Sequence, residues 1–84
     1  MDLGSAILTD HAARRLAKRG IALEAVRAVL GGPESVAPVR PGRVVAQGMI
    51  GGQLLRVFVD VDRRPPEVVT AYLTSRMDKY RRSP

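Results

Sequence analysis

The single histidine of this chain lies among arginines, at a spacing that suits proton transfer beside an anion. His11, Arg15 and Arg19 follow one another at intervals of four residues. In an α-helix, side chains at this spacing lie about one turn apart on the same face. Histidine titrates near neutral pH, and arginine binds phosphate oxygens through several N–H donors. The pattern is typical of acid–base chemistry at a phosphate, and it also fits an ordinary solvated helix face.

The charge of the chain favours a polyanionic partner. The sequence has 14 Lys and Arg residues against 8 Asp and Glu residues, which gives a formal net charge of +6. Two groups of cations stand out, one in the first predicted helix and one near the C-terminus: Arg14, Arg15, Lys18 and Arg19, and Arg76, Lys79, Arg81 and Arg82. Dense basic patches are typical of small domains that bind nucleic acid or an acidic protein. A generally arginine-rich surface is the simpler alternative.

The composition argues against several other kinds of site. Without cysteine there is no disulfide, no thiolate nucleophile and no sulfur-ligated zinc. With one histidine and scattered carboxylates, we expect neither a metal site nor a cofactor. The sequence has no signal-peptide pattern and no apolar run of membrane-spanning length, so we expect a cytoplasmic protein with no membrane partner. We also expect a single domain over residues 1–84.

The apolar pattern predicts two helices followed by a sheet. The first helix begins after an N-cap at Thr9 or Asp10 and ends at Gly20, and the second covers residues 21–30. Strands are predicted at residues 34–39, 43–50, 53–61 and 67–74, with a short helical turn at 76–82. The predicted fold class is α+β, with two N-terminal helices packed on a four-stranded antiparallel sheet.

Alternation within the last two strands brings a cation close to two hydroxyl groups. Val68, Thr70 and Tyr72 are predicted to share one face of their strand, with Val69 on the other. If the two strands pair, Arg56 can share a face with Thr70 and Tyr72, as a platform for a phosphate or a base. Alternatively, threonine and tyrosine are present only because they favour strands. Arg56 lies among apolar residues and therefore needs a partner or a solvated face.

Several motifs resemble an uncharacterised bacterial domain family that is grouped with RelE-like toxins. They are His11-Ala-x-x-Arg15-x-x-x-Arg19-Gly20-Ile21, an apolar helix that ends in Gly-Gly-Pro33-Glu34, Val68-Val69-Thr70-Ala71-Tyr72, and Lys79-Tyr80-Arg81. The resemblance covers residues 7–81. It implies the fold of RelE, barnase and colicin-type ribonucleases, and a toxin that is a metal-independent endoribonuclease or a relative that has lost this activity. The chain departs from the family pattern at Ala22, where similar sequences tend to begin the second helix with Ser or Thr.

Metal-free RNA cleavage needs a base for the 2′-hydroxyl, a proton for the leaving 5′-oxygen, and cations for the charge on the phosphate. We interpret His11 as the base. Arg15 or Arg56 then holds the phosphate, and Thr70 or Tyr72 positions it. The remaining candidates are RNA-binding residues: Arg14, Lys18, Arg19, Lys79, Tyr80 and Arg81. The predicted partners are RNA, cut to a 2′,3′-cyclic phosphate, and an acidic antitoxin protein that covers the basic cleft.

Two other functions fit the same sequence. One is a non-catalytic binding module that holds nucleic acid or an acidic protein through its basic patches, with His11 as a capping or packing residue. The other is an adaptor whose apolar sheet edge pairs with a strand of a partner.

Overall fold

The computed structural model describes residues 2–81, in which two helices cover one face of a five-stranded mixed sheet. A 3₁₀ turn at Leu3–Ser5 precedes the regular elements. In chain order these are β1 (Ile7–Leu8), α1 (Asp10–Lys18), α2 (Leu23–Gly31), β2 (Ser35–Arg40), β3 (Arg43–Ile50), β4 (Gln53–Asp60), β5 (Glu67–Thr74) and α3 (Met77–Tyr80). The strand order across the sheet is β1-β5-β4-β3-β2. Arg82, which the sequence predicted in the last helical turn, lies outside the described residues.

The predicted four-stranded antiparallel sheet is wrong, because a fifth strand joins it in parallel. In β1, Ile7 pairs with Glu67 and Leu8 with Val68. The Ile7 N–H also donates to the Pro66 carbonyl at 2.8 Å. The other four strands are antiparallel neighbours. A two-residue strand is too short to show alternation, and its pairing depends on residues far along the chain.

The predicted arrangement of two N-terminal helices on the sheet is also wrong, because a third helix forms where the sequence predicted a short helical turn. α3 follows β5, and its last residue, Tyr80, contacts the sheet face opposite to α1 and α2: the Gln47 side-chain amide donates to the Tyr80 carbonyl at 2.7 Å. The described residues therefore place helices on both faces of the sheet. No helix among them has the length and apolar character needed to cross a bilayer.

Local signals explain where α1 and α2 begin and end. Thr9 is the N-cap of α1, and its hydroxyl oxygen accepts from the Ala12 N–H at 3.1 Å. After α1, Gly20 adopts a φ of +67°, a conformation that favours glycine. The N-cap of α2 is Ala22, which has no side chain able to accept a hydrogen bond. α2 is therefore held by packing, without the capping bond that α1 has.

The hydrophobic core lies between the two N-terminal helices and one face of the sheet. Alternate residues of β4 point into it, so Leu55, Val57 and Val59 are all fully buried. The other core residues are Leu3, Ala6, Leu16, Ile21, Val26, Val29, Leu30, Ala46, Val68 and Ala71. Burial of this apolar surface holds α1 and α2 on the sheet.

A β-bulge at Val69 changes which residues of β5 face the core. Thr70 pairs with Phe58, whereas Val68 pairs with the next residue of β4, so Val69 is left without a partner. Val68 and Ala71 consequently both face the core and are buried. The predicted sharing of one face by Val68 and Thr70 is wrong, because one extra residue inverts the alternation.

Candidate functional site

The sheet face opposite to α1 and α2, which we call the open face, carries all three aromatic residues of the chain around one arginine. Arg56 lies 3.9 Å from the ring centroid of Tyr80, 5.7 Å from that of Phe58 and 5.8 Å from that of Tyr72. The Phe58 and Tyr72 rings are stacked at 6.0 Å, and the Tyr72 and Tyr80 rings meet edge to face at 6.4 Å. The guanidinium therefore lies in a cluster of aromatic rings, and cation–π attraction holds it there.

Hydrogen bonds fix the orientation of the Arg56 guanidinium. Its Nε donates to Gln47 Oε1 at 3.1 Å, and its Nη1 donates to the Tyr72 hydroxyl at 2.7 Å. Gln47 lies opposite Arg56 in the neighbouring strand and is only 4% exposed. Both ends of the Gln47 amide are used, since its nitrogen donates to the Tyr80 carbonyl. Gln47 thus joins β3, β4 and α3 at one point and positions the arginine.

Arg56 is half-buried, yet within residues 2–81 it has no carboxylate partner. The ion pairs of this part of the chain lie elsewhere: Arg40, Arg43 and Arg63 with Asp60, and Arg81 with Glu34. The second terminal nitrogen of Arg56, Nη2, makes no hydrogen bond with any described residue. No buried side-chain polar atom among these residues is unsatisfied, so Nη2 reaches solvent. A fixed, partly buried guanidinium without a counter-charge favours an anion.

The two phenols beside Arg56 differ in acidity. Burial raises the pKa of Tyr72, and its hydrogen bond to Tyr80 raises that pKa further. The pKa of Tyr80 is lowered, chiefly because the hydrogen bond from Tyr72 stabilises its phenolate, with a smaller contribution from the Lys79 ammonium. Tyr80 therefore ionises before Tyr72 as the pH rises.

The C-terminal candidates lie close to this cluster. The exposed Lys79 ammonium is 5.3 Å from the centroid of the Tyr80 ring. Arg81 forms a two-point ion pair with Glu34, including an Nε–Oε2 contact of 2.8 Å. Lys79 and Tyr80 are thus available at the open face, whereas the ion pair of Arg81 holds this end of the described chain against the residue that precedes β2.

The residues predicted on α1 lie on the other side of the sheet. Leu16 of α1 belongs to the core that contains Leu55 and Val57, and Arg56 lies between these two residues on the opposite face. His11 and Arg15 are exposed, and their side chains make no hydrogen bond with any residue from 2 to 81. Arg14 and Lys18 are exposed on the same helix.

Arg19 is the member of the α1 series that contacts the sheet. Its Nη1 donates to Thr70 Oγ1 at 3.1 Å and to the Ala71 carbonyl at 2.7 Å. The structure therefore brings Arg19 to Thr70, and it brings Arg56 to Tyr72 and Tyr80. It does not bring His11 to Arg56.

Two residues of the open-face cluster were not among the predicted site residues. Gln47 is the one uncharged polar side chain in the apolar strand 43–50, which is a signal in the sequence. Phe58 is two positions from Arg56 and must share its face, which alternation alone indicates.

Comparison with known proteins identifies one family. The family model described as a domain of unknown function, DUF4258, matches residues 8–73. The match includes Arg56 and Tyr72, and Tyr80 lies beyond it. No significant match is found among curated proteins or among solved structures. Because the matched residues form most of the chain, this protein belongs to the DUF4258 family.

Proposed function

We propose that this domain binds single-stranded RNA on the open face, with a backbone phosphate at Arg56 and bases stacked on the surrounding rings. The observation that carries the proposal is a half-buried guanidinium held only by neutral groups. A bound phosphate supplies the missing counter-charge and accepts from Nη2. The net charge of +6 adds attraction for any polyanion.

The aromatic residues favour a single strand over a duplex. Phe58, Tyr72 and Tyr80 are all half-buried, so each residue keeps some surface that a ligand can contact. Unpaired bases can stack on such rings, whereas the bases of an A-form duplex are already stacked on one another. The choice of RNA over DNA rests on the resemblance of the sequence to an uncharacterised family that is grouped with RelE-like toxins, and it stays a prediction.

Binding of a fluorescent single-stranded RNA to Arg56→Gln tests this proposal. Since a hydrogen bond to a charged group contributes about 1.5–3 kcal/mol, we expect the affinity to fall by about 10- to 100-fold. Arg14→Gln is the matched control, because it removes the same charge from the exposed surface of α1. Its expected loss is several times smaller. Arg56→Lys keeps the charge without the planar donor pair, and we expect an intermediate affinity.

Equal losses for Arg56→Gln and Arg14→Gln would contradict the proposal, as would the absence of RNA binding by the wild type. Tighter binding of single-stranded DNA than of RNA would reject the choice of RNA. Circular dichroism and thermal unfolding of each variant separate a loss of binding from a loss of structure.

We propose a second function for the α1 surface, metal-independent RNA cleavage by a toxin. The observation in its favour is the exposed His11 one turn from the exposed Arg15. In this reaction His11 takes the proton of the 2′-hydroxyl, and the 2′-oxygen attacks the phosphorus. The bond to the 5′-oxygen breaks, that oxygen takes a proton from water, and a 2′,3′-cyclic phosphate remains. An acidic antitoxin is the proposed partner of the basic residues of α1.

RNA incubated with the wild type and with His11→Gln, in the presence of a chelator, tests the second function. We expect the wild type to produce cyclic-phosphate ends and the variant to be slower by about 100-fold or more. Equal cleavage by both proteins would remove His11 from the reaction. The cytoplasmic location suits either function and stays a prediction.

A further inference from the structure

The open face continues along β4 from Arg56 to a second group of cations. Arg56, Phe58 and Asp60 alternate with core residues and therefore share this face. Arg43 lies opposite Asp60 in the register of β3 and β4. Four residues of strand span about 13 Å, so Arg56 and Asp60 are separated by roughly that distance along β4.

Asp60 collects three guanidinium groups, which we call the guanidinium cluster: Arg40, Arg43 and Arg63. Arg43 binds the carboxylate at two points, with Nε–Oδ1 at 2.7 Å and Nη2–Oδ2 at 3.2 Å. Arg40 and Arg63 are only loosely associated with it, at 3.9 Å and 4.0 Å. Their side chains are 53% and 60% exposed. Arg40 Nη1 donates to the Pro41 carbonyl at 2.9 Å, and the other donors of the two side chains make no hydrogen bond with the described residues.

Two arginines of the guanidinium cluster keep donors that Asp60 does not use. Asp62 also acts on Arg43, and Glu67 lies opposite Asp60 in the register of β4 and β5. The hydrogen bond from Arg43 is the main reason that the pKa of Asp60 is lowered, so Asp60 is ionised at neutral pH and committed to Arg43. The guanidinium groups of Arg40 and Arg63 therefore remain able to bind an external anion.

The structure limits the direction in which a ligand can extend from Arg56. Toward the start of β4, Leu54 is the residue that precedes Arg56 on this face, and it is fully buried. Beside Arg56, the Gln47 amide is bonded to the Tyr80 carbonyl. Toward the other end, Phe58 and Thr70 are half-buried. The accessible direction therefore leads over Phe58 to the guanidinium cluster.

We infer that an RNA strand bound at Arg56 runs along β4 over Phe58 and places a second phosphate between Arg40 and Arg63. This inference rests on the proposed RNA binding and adds to it a path and a minimum length. A mononucleotide occupies the Arg56 site alone, because it is too short to reach both positions. A longer single strand occupies both.

The double variant Arg40→Gln/Arg63→Gln tests the second phosphate position. Both side chains are more than half exposed, and the variant keeps the pair between Arg43 and Asp60. The affinity of this variant for adenosine monophosphate is measured by NMR titration. Its affinity for a short oligoadenylate is measured over a range of salt concentrations. The matched control, Arg14→Gln/Lys18→Gln, loses the same charge from α1.

We expect the double variant to bind the mononucleotide like the wild type and the oligoadenylate at least about 10-fold more weakly. The slope of log K against log salt falls by about 0.7 for each phosphate of a single strand that the protein no longer neutralises. The control, which measures the general effect of losing two positive charges, loses less affinity than the double variant.

Two results would overturn the inference while leaving the proposed function intact. One is wild-type binding of the oligoadenylate by the double variant, and the other is an equal loss for mononucleotide and oligoadenylate. If Arg56→Gln leaves both ligands bound, the proposed function itself fails. The Arg56 variant thus separates failure of the inference from failure of the function.

Discussion

Two surfaces of this domain are rich in cations, and they differ in how firmly those cations are held. On α1, His11 and Arg15 are exposed and make no hydrogen bond with the described residues. On the open face, Arg56 is fixed by two hydrogen bonds and by the ring of Tyr80. A mobile cation attracts polyanions at long range, whereas a fixed guanidinium is already oriented for a phosphate and loses less entropy on binding. The fixed arrangement is therefore the better candidate for a specific site.

Among substitutions that distinguish the open face from the α1 surface, we expect the largest effect on stability from replacement of the buried Gln47. Gln47→Leu removes the acceptor of Arg56 Nε and the donor to the Tyr80 carbonyl. We expect a loss of about 1–3 kcal/mol in the free energy of unfolding, because partly buried polar groups lose their partners. RNA binding weakens as well, since Arg56 is no longer oriented.

Urea unfolding and RNA titration of Gln47→Leu measure both effects. Arg15→Gln on α1 is the control and should change the free energy of unfolding by less than about 0.5 kcal/mol. Unchanged stability and binding in Gln47→Leu would mean that Arg56 needs no positioning.

A smaller effect is expected between two arginines of the α1 region, the anchored Arg19 at the C-cap of the helix and the exposed Arg15 within it. Arg19→Gln removes the bonds to Thr70 and to the Ala71 carbonyl. We expect it to lower the free energy of unfolding by about 1 kcal/mol, whereas Arg15→Gln has no clear effect. Denaturant unfolding of the two variants checks this difference. Equal values would show that the bonds of Arg19 do not contribute to stability.

The smallest effect concerns the pH dependence of RNA binding. Since the pKa of Tyr80 is lowered, its phenolate forms as the pH rises, below the ordinary tyrosine value of about 10. A negative charge beside Arg56 repels phosphate, so the affinity falls over this pH range. Tyr80→Phe should remove the fall, whereas Tyr72→Phe should move it to higher pH, because the hydrogen bond from Tyr72 is the main reason that the pKa of Tyr80 is lowered. If the affinity for RNA still falls with pH in Tyr80→Phe, the titration of another group is responsible.

Local signals in the sequence predict most of the elements. The strands Arg43–Ile50 and Glu67–Thr74 have the predicted bounds, because alternation and flanking turn residues mark them clearly. The parallel strand β1 is missing from the prediction, since two residues carry no period. The bulge at Val69 is likewise invisible, because an extra residue appears only in the pairing with β4.

For the candidate site too, local sequence patterns predict some of the contacts, whereas the others depend on tertiary packing. Strand alternation predicts that Arg56 and Tyr72 share a face, and the structure pairs them directly. The position of Tyr80 depends on how the chain folds back after β5, which no local pattern specifies. Whether α1 lies on the same side of the sheet as Arg56 also depends on packing. The separation of His11 from Arg56 therefore emerges only from the structure.

NMR titration of the labelled domain with a short single-stranded RNA tests the central claim most directly, because it reports on both surfaces at once. We predict the largest changes at the Arg56 side-chain Nε–H, the Gln47 amide and the rings of Phe58 and Tyr80, with small changes at the backbone amides of α1. Changes concentrated on His11, Arg15 and their neighbours, with the open face unaffected, would contradict the account.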